Sequence, residues 1–224
     1  MPQKIAIMQP YFFPYAGYFR LMEMVDLFVV FDCIQFNRNG WLHRNLFEKK
    51  DGTTEWFTLP LVKGPRDTTK IKDLKFRDEA LELIHLNSKK YMFHELNDKD
   101  IHFYNVFSDV QLNVTDYLIN CLKYVNKKLD IEKKIIKSSE LQISENFKGQ
   151  HRIIEIIKKL GYSTYINAPG GIHYYDQKLF QENRLKLIML KPYIGPKESI
   201  LDTIRKEGST KVIENIRSQC KTFN

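Results

Sequence analysis

The start of the chain combines two short apolar runs with one amphipathic stretch. Residues 4–8 form an apolar run that ends at Gln9, and residues 27–31 form a second run rich in β-branched and aromatic side chains. Both runs are typical of buried parallel strands. Between them, residues 17–25 place apolar side chains at i, i+3, i+4 and i+7, which predicts a helix. Together the three elements predict a βαβ unit with a right-handed crossover.

The remainder of the chain predicts more strands and helices around this unit. Residues 55–62 and 70–76 resemble strands, and residues 78–96 and 105–129 have helical spacing, which predicts a hairpin of two helices packed on the sheet. Further strands are predicted at residues 134–137, 163–167 and 185–190, and further helices at residues 149–160, 176–182, 200–206 and 211–220. The expected fold class is α/β. We expect a single domain over residues 1–224, with a parallel-sheet, Rossmann-like core, a helical insertion at residues 78–129 and C-terminal helices.

The composition supports a folded, cytoplasmic protein. Of the 224 residues, 43% are hydrophobic, which is too many for a disordered chain. The three cysteines, Cys33, Cys121 and Cys220, are odd in number and widely spaced, so they predict neither a disulfide framework nor a zinc site. The sequence predicts no signal peptide and no apolar stretch long enough to span a membrane. We therefore expect a cytoplasmic location with a reducing environment.

The excess of positive charge bears on whether the protein binds nucleic acid or an anionic small molecule. The chain has 35 Lys and Arg against 27 Asp and Glu, for a formal net charge of +8. The lysines are spread along the sequence in modest pairs, such as Lys133 and Lys134, which favours a solvated basic face over a nucleic-acid surface. An anionic small molecule fits the same charge, so we expect a nucleotide-linked or phosphorylated substrate, no nucleic acid and no membrane span. The oligomeric state stays open.

The first candidate binding segment joins the first predicted strand to the first helix. It reads QPYFFPYAGYF over residues 9–19, where a solvent-facing loop would ordinarily be polar. Its prolines stiffen the backbone, and aromatic rings on a stiff loop at the carboxyl end of a strand suit a base or a sugar ring. An aromatic cluster that closes one end of the sheet explains the pattern equally well, and the spacing of Tyr18 also fits the core face of the helix. The substrate-binding candidates are Gln9, Tyr11, Tyr15 and Tyr18.

The second candidate segment, residues 31–45, follows the second predicted strand and combines acid, amide, guanidinium, imidazole and indole groups. Arg38 and Arg44 can hold a phosphate or a carboxylate through paired hydrogen bonds. Asp32 and His43 are the catalytic candidates, because either can take a proton from an attacking amine. A well hydrogen-bonded loop, with His43 as an ordinary member, is the alternative. The substrate-binding candidates are Gln35, Arg38, Trp41, Arg44 and Asn45.

The third candidate segment, residues 165–176, lies between a predicted strand and a short helix. Its glycines, Gly170 and Gly171, can bring backbone amides close to a phosphate, although a simple turn explains them as well. The substrate-binding candidates are Asn167, Gly170, Tyr175 and Asp176. The remaining histidines show no ligand-like i, i+4 pair, so we expect no metal site.

The order of these motifs resembles that of the WbqC-like family. That family opens with roughly I-x-Q-P-x-Y-F-P-Y-x-G-Y, followed by a D-x-F-V-x-x-D strand and a W-x-x-R-N segment. This chain has KIAIMQPYFFPYAGYF from residue 4, VDLFVVFD from residue 25 and WLHRN from residue 41, with Phe12 where a tyrosine is expected. The segments that begin at Tyr175 and Ser199 are similar to the family's C-terminal part, so the resemblance covers most of the chain.

A fainter likeness is to pantothenate synthetase-like nucleotidyltransferases. In those enzymes an H-x-G-H motif opens the helix after the first strand, and a loop with N-P-x-Q-F follows the second strand. Here YAGY at residues 15–18 and DCIQF at residues 32–36 stand in those places. The likeness implies a nucleotidyltransferase-like fold. The replacement of both histidines by Tyr15 and Tyr18 removes the groups that would steady the phosphates of ATP.

The WbqC-like resemblance implies an enzyme of bacterial O-antigen, lipopolysaccharide or other surface-polysaccharide biosynthesis. The step that it favours is transfer of an acyl or aminoacyl group to the amine of a nucleotide-linked amino sugar, with amide formation. The cofactor is open, because an adenylate made from ATP and an acyl-CoA thioester are both compatible with this step. The alternatives are a glycosyltransferase and a non-catalytic protein that binds sugar nucleotides.

Overall fold

A five-stranded parallel sheet forms the centre of the protein. The computed structural model describes residues 3–65 and 68–223, so residues 1, 2, 66, 67 and 224 of the expected domain lie outside the described residues. The sheet has the order β5-β2-β1-β6-β7, and β3 and β4 form a separate antiparallel hairpin. The strands are β1 (Lys4–Met8), β2 (Leu27–Val30), β3 (Arg44–Glu48), β4 (Thr54–Thr58), β5 (Lys134–Lys137), β6 (Thr164–Asn167) and β7 (Lys186–Met189).

Helices cover both faces of this sheet. The helices are α1 (Ala16–Met24), α2 (Ala80–Ser88), α3 (Leu96–Lys99), α4 (Ile101–Ser108), α5 (Val114–Lys128), α6 (Gly149–Lys159), α7 (Gln177–Glu182), α8 (Ile200–Glu207) and α9 (Ser209–Ser218). Ala6 of β1 belongs to the apolar cluster that contains the buried side chains of α1, α5, α8 and α9. Its neighbours Ile5 and Ile7 belong to a second cluster with α6 and α7. This alternation places a core on each side of the sheet and confirms the α/β fold.

The strand order creates a switch point beside β1. From β1 the chain passes through α1 to β2 on one side, and it later returns through α6 to β6 on the other side. In open parallel sheets, ligands bind at the carboxyl ends of the strands near such a reversal. The residues at this edge include Gln9 after β1, Asp32 after β2, Ser138 after β5 and Asn167 at the end of β6.

The region after β2 differs from the prediction in its strands. Residues 70–76, which were predicted as a strand, contain a short 3-10 turn at Ile71–Asp73. The apolar side chains of Ile71 and Leu74 are both buried and lie three residues apart, which suits one turn of helix rather than one face of a strand. Conversely, β3 was not predicted: it begins at the end of the second candidate segment and continues into residues with no predicted element, and it pairs with β4 so that Leu46 faces Trp56.

The helical insertion also differs from the predicted hairpin of two helices. The predicted helix bounds were wrong, because four helices, α2 to α5, occupy this region. Two polar side chains begin separate helices, one between the two predicted helices and one within the second. Asp100 accepts hydrogen bonds from the backbone amides of His102 and Phe103 at the start of α4, and Asn113 accepts one from Asp116 at the start of α5. Such caps satisfy the free amides of a new helix and so favour a break before it. Among the described residues, no helix has the length and apolar character needed to cross a bilayer.

Candidate functional site

The aromatic loop, which we define as residues 9–15, is held in a strained conformation. Phe13 has a φ of 42°, in the left-handed region that non-glycine residues rarely adopt. The side-chain amide of Asn45 donates to the carbonyl oxygens of Phe12 at 3.2 Å and Phe13 at 2.6 Å. The Ser199 hydroxyl donates to the same Phe13 carbonyl at 3.0 Å. A strained backbone conformation persists only where surrounding contacts stabilise it. At Phe13 these contacts come from the side chains of Asn45 and Ser199, which are both distant in the sequence.

The tryptophan loop, which we define as residues 35–43, lies directly against the aromatic loop. The backbone amide of Phe12 donates to the carbonyl of Leu42 at 3.0 Å. Residues Gln35, Phe36, Asn37, Arg38 and Asn39 line a cavity of about 430 Å³. The first two candidate segments therefore meet at the carboxyl edge of the sheet, and the second of them also lines a cavity.

The two arginines of this region are bonded to backbone carbonyls. Arg44 donates from Nε to Gly40 at 3.2 Å and from Nη2 to Asn39 at 2.8 Å. Its guanidinium also lies over the Trp56 ring, 4.5 Å from the centroid. Arg38 donates to the Gly64 carbonyl. No carboxylate among the described residues forms an ion pair with either arginine.

His43 is half-buried between these arginines and an aromatic ring. Its ring lies 5.0 Å from that of Phe36, and its Nδ1 is buried without a hydrogen-bond partner among the described residues. Burial, followed by the positive charges of Arg44 and Arg38, lowers the pKa of His43 to about 4. The imidazole is therefore neutral at physiological pH and can accept a proton or a hydrogen bond.

Asp32 is buried in a hydrogen-bond network that joins β2 to the segment after β5. Its Oδ1 accepts from the Ser138 hydroxyl at 2.9 Å and the Ser139 amide at 2.8 Å. Its Oδ2 accepts from the Ser139 hydroxyl at 2.6 Å. Both carboxylate oxygens are thus already engaged, which fits a group that fixes two strand ends. Sequence reasoning missed both serines, although a polar pair directly after a strand was the available signal.

Arg152 is a second buried polar residue that sequence reasoning missed. It lies on α6 and donates from Nε to the sulfur of Cys33 at 3.0 Å. Its other nitrogens donate to the carbonyls of Ser144 at 3.0 Å and Ile143 at 3.3 Å. Arg152 therefore connects α6 to the end of β2. Its position within a helical pattern gave no indication of this contact.

The tyrosines of the first candidate segment have different environments. Tyr18 is buried, and its hydroxyl donates to the Gln9 carbonyl at 2.8 Å. Burial raises the pKa of Tyr18 well above its usual value. Tyr11 is half-buried, with its ring 5.6 Å from that of Tyr18. Tyr15 precedes α1 and packs against Tyr193 at 5.6 Å. Tyr18 thus supports the loop, while Tyr11 and Tyr15 are partly accessible.

The third candidate segment lies after β6, on the other side of the switch point. Asn167 is buried, and its Oδ1 accepts from the Ala168 amide at 2.8 Å. A Cβ at Gly171 would lie 2.5 Å from the Asn167 amide nitrogen and 2.9 Å from the Tyr175 ring, whereas one at Gly170 would meet nothing within 4 Å. No hydrogen bond between described residues joins this segment to the tryptophan loop. Asp176 is exposed and accepts from the Lys178 amide at the start of α7.

The ends of β3 and α8 are joined by a buried carboxylate. Asp202 accepts from the Glu48 amide through Oδ2 at 2.9 Å, while its Oδ1 has no hydrogen-bond partner among the described residues. The nearest guanidinium, that of Arg205, is 3.9 Å away. Burial raises the pKa of Asp202 to about 6. Asp202 and Ser199 together attach α8 to the strand and the loop that frame the site.

These features define a doubly wound α/β protein with fixed polar groups at the carboxyl edge of its sheet. The sequence model of the WbqC-like protein family matches residues 9–209, so this chain belongs to the WbqC-like family. It is also 23% identical to "Uncharacterized protein Rv1507c" of Mycobacterium tuberculosis (strain ATCC 25618 / H37Rv) over 193 residues, which cover 83% of this chain and 80% of that protein. No solved structure matches the chain. Among the described residues, no group of three or more His, Cys, Asp or Glu side chains could hold a metal ion.

Proposed function

We propose that this protein is a transferase or amide-forming ligase of bacterial surface-polysaccharide biosynthesis. In this proposal it attaches an acyl or aminoacyl group to the amine of a nucleotide-linked amino sugar. The observation that carries the proposal is the contact between the aromatic loop and the tryptophan loop, in which the Phe12 amide donates to the Leu42 carbonyl at the carboxyl edge of the sheet. A cytoplasmic site of action is part of the proposal, and the three free cysteines support it.

In the proposed site, the tryptophan loop binds the phosphates and supplies the proton acceptor. Arg38 and Arg44 hold the diphosphate, since neither is paired with a carboxylate of a described residue. Burial is the main cause of the lowered pKa of His43, and an anion bound by the two arginines offsets only the smaller contribution of their positive charges. Asp32 acts as a positioning residue, because its oxygens already bind Ser138 and Ser139.

The proposed step forms one bond and breaks another. The amine nitrogen bonds to the acyl carbon, and the bond from that carbon to its leaving group breaks. The leaving group departs with the electron pair, and His43 accepts the proton of the amine. Binding both reactants in one cleft supplies the orientation that an uncatalysed encounter lacks.

The residues at the first strand favour a thioester donor over ATP. Tyr18 is buried with its hydroxyl bound to Gln9, and Tyr15 packs against Tyr193. Neither side chain gives a cationic donor to a triphosphate, so these positions do not fit ATP as a histidine pair would. Acyl transfer from a preactivated thioester such as acyl-CoA consumes no ATP and so needs no cationic pair at these positions.

A mass-spectrometric assay separates the candidate functions. Purified protein is incubated with a UDP-linked amino sugar and acetyl-CoA, and in parallel with the same sugar, amino acids and ATP. An acyl or aminoacyl mass increment on the sugar supports the proposal. Release of UDP indicates a glycosyltransferase, and unchanged substrate with measurable binding indicates a non-catalytic protein.

Two substitutions test the roles within the site. His43→Gln is expected to lower kcat by about 100-fold or more with little change in KM, because it removes the proton acceptor. Arg44→Ala is expected chiefly to raise KM, since it removes a phosphate contact. Lys127→Ala, at an exposed lysine of α5, is the matched control and should leave both constants unchanged. Equal, small effects of the first two substitutions would contradict these roles.

A further inference from the structure

Two indole rings form an exposed pair beside the candidate site. The ring centroids of Trp41 and Trp56 lie 4.8 Å apart, with 53° between the ring planes. The two residues are 38% and 37% exposed. More than a third of the surface of each residue remains in water, and burying it under a ligand would gain free energy, so the pair suits a contact surface. Sequence reasoning selected Trp41 and gave Trp56 no role.

The surroundings of this pair point to the kind of ligand that covers it. Arg44 lies over the Trp56 ring at 4.5 Å, and carbonyls of the tryptophan loop fix its guanidinium through Nε and Nη2. Its Nη1 makes no hydrogen bond to any residue that the structure describes. Residues 35–39 line the 430 Å³ cavity, and the last of them, Asn39, precedes Trp41 by two positions in the sequence. The stacking surface, the oriented cation and the cavity thus belong to the tryptophan loop and to the β3–β4 hairpin that follows it.

We propose that the base of a nucleotide ligand stacks on Trp41, while Trp56 supports that ring and orients Arg44 toward the ligand's phosphates. This inference rests on the proposed function, which supplies a nucleotide-linked substrate. A neutral sugar can also stack on an indole ring, but it makes no use of the adjacent cation. A base followed by a diphosphate uses both groups, and the flat faces of all bases stack on aromatic side chains.

The chain offers a direct optical test, because Trp41 and Trp56 are its two tryptophans. UDP is titrated into the full-length protein, and binding is followed by calorimetry and by tryptophan fluorescence excited at wavelengths where uracil does not absorb. We expect UDP to quench the fluorescence, and Trp41→Ala to weaken binding about tenfold. Trp41→Phe should retain most of the affinity, since the phenyl ring still stacks. In Trp56→Phe the remaining fluorophore is Trp41, and its quenching should persist.

The controls separate this inference from the proposed function. Tyr104→Ala removes a ring that is 38% exposed on α4, and it should leave UDP binding unchanged. If calorimetry detects UDP binding that Trp41→Ala does not weaken, the stacking role is overturned while the proposed nucleotide-linked substrate survives. If UDP, GDP, CDP and ADP all fail to bind, both are overturned. If a methyl glycoside quenches as strongly as UDP, the pair is a sugar platform and the base assignment is overturned.

Discussion

The buried carboxylate of Asp202 predicts an unusual dependence of stability on pH. Its pKa is raised from 3.8 to about 6 in the folded protein, and the side chain is 3% exposed. A shift of about two units corresponds to about 3 kcal/mol between the two protonation states. Because the folded-state pKa is the higher one, the protonated group stabilises the fold at low pH. This contribution is lost as the pH rises from about 4 through about 6.

The substitution Asp202→Asn removes the titration while keeping an oxygen that can accept from the Glu48 amide. At pH 7.5 we expect the variant to be more stable than the parent by up to about 3 kcal/mol, reduced by whatever attraction to Arg205 and Lys206 is lost. Between pH 7.5 and pH 4.5 this advantage should shrink by about 2 kcal/mol, because the parent regains a proton that its unfolded chain does not bind.

Urea unfolding at the two pH values, followed by tryptophan fluorescence, measures this difference. The other carboxyl groups titrate in both proteins and therefore cancel in the comparison. Asp176→Asn is the matched control, since Asn replaces Asp well at the start of α7, and it should change stability little at either pH. A difference between parent and Asp202→Asn that is the same at both pH values, or a variant that is less stable at pH 7.5, would refute the reasoning.

Two further predictions concern the packing of the site. Asn45→Ala removes the side-chain donor to the Phe12 carbonyl and one of the two donors to the Phe13 carbonyl, and we expect urea unfolding to show a loss of about 2 kcal/mol, against little change for the exposed Asn37→Ala. A loss below about 1 kcal/mol would contradict the role given to Asn45. Gly171→Ala places a methyl group 2.5 Å from the Asn167 amide nitrogen and should cost about 1–3 kcal/mol, whereas Gly170→Ala enters open space and should change stability by about 0.5 kcal/mol or less. If thermal unfolding shows the same loss of stability for both substitutions, neighbouring atoms have moved to relieve the clash at Gly171, and the prediction is wrong.

The elements at the start of the chain could be predicted because their signals are local. The strand, helix and strand that end at Val30 follow from short apolar runs and one amphipathic stretch, and the structure confirms all three. By contrast, β3 was missed because it pairs within a polar hairpin whose burial depends on helices far along the chain. The predicted strand at residues 70–76 failed because its apolar pair at Ile71 and Leu74 fits one helical turn as well.

The candidate site was predictable only in its outline. Sequence position placed Gln9 and Asp32 after adjacent parallel strands, and that alone brings them to one edge of the sheet. The partners of Asp32 could not be inferred, because Ser138 lies 106 residues further along the chain. The contact between Arg152 and Cys33 could not be inferred either, because the two residues lie 119 positions apart in the sequence. A polar side chain that folds inward from a helix has no local signature.

The constraint on Phe13 also bears on when a newly made chain can fix the conformation of its aromatic loop. Asn45 is synthesised soon after the turn that it stabilises, but Ser199 follows 186 residues later. A nascent chain in which the strands of the sheet have been synthesised still lacks the Ser199 hydroxyl, which is the second side-chain donor to the Phe13 carbonyl. The restraint on Phe13 is therefore complete only after the residues that begin α8 have been synthesised.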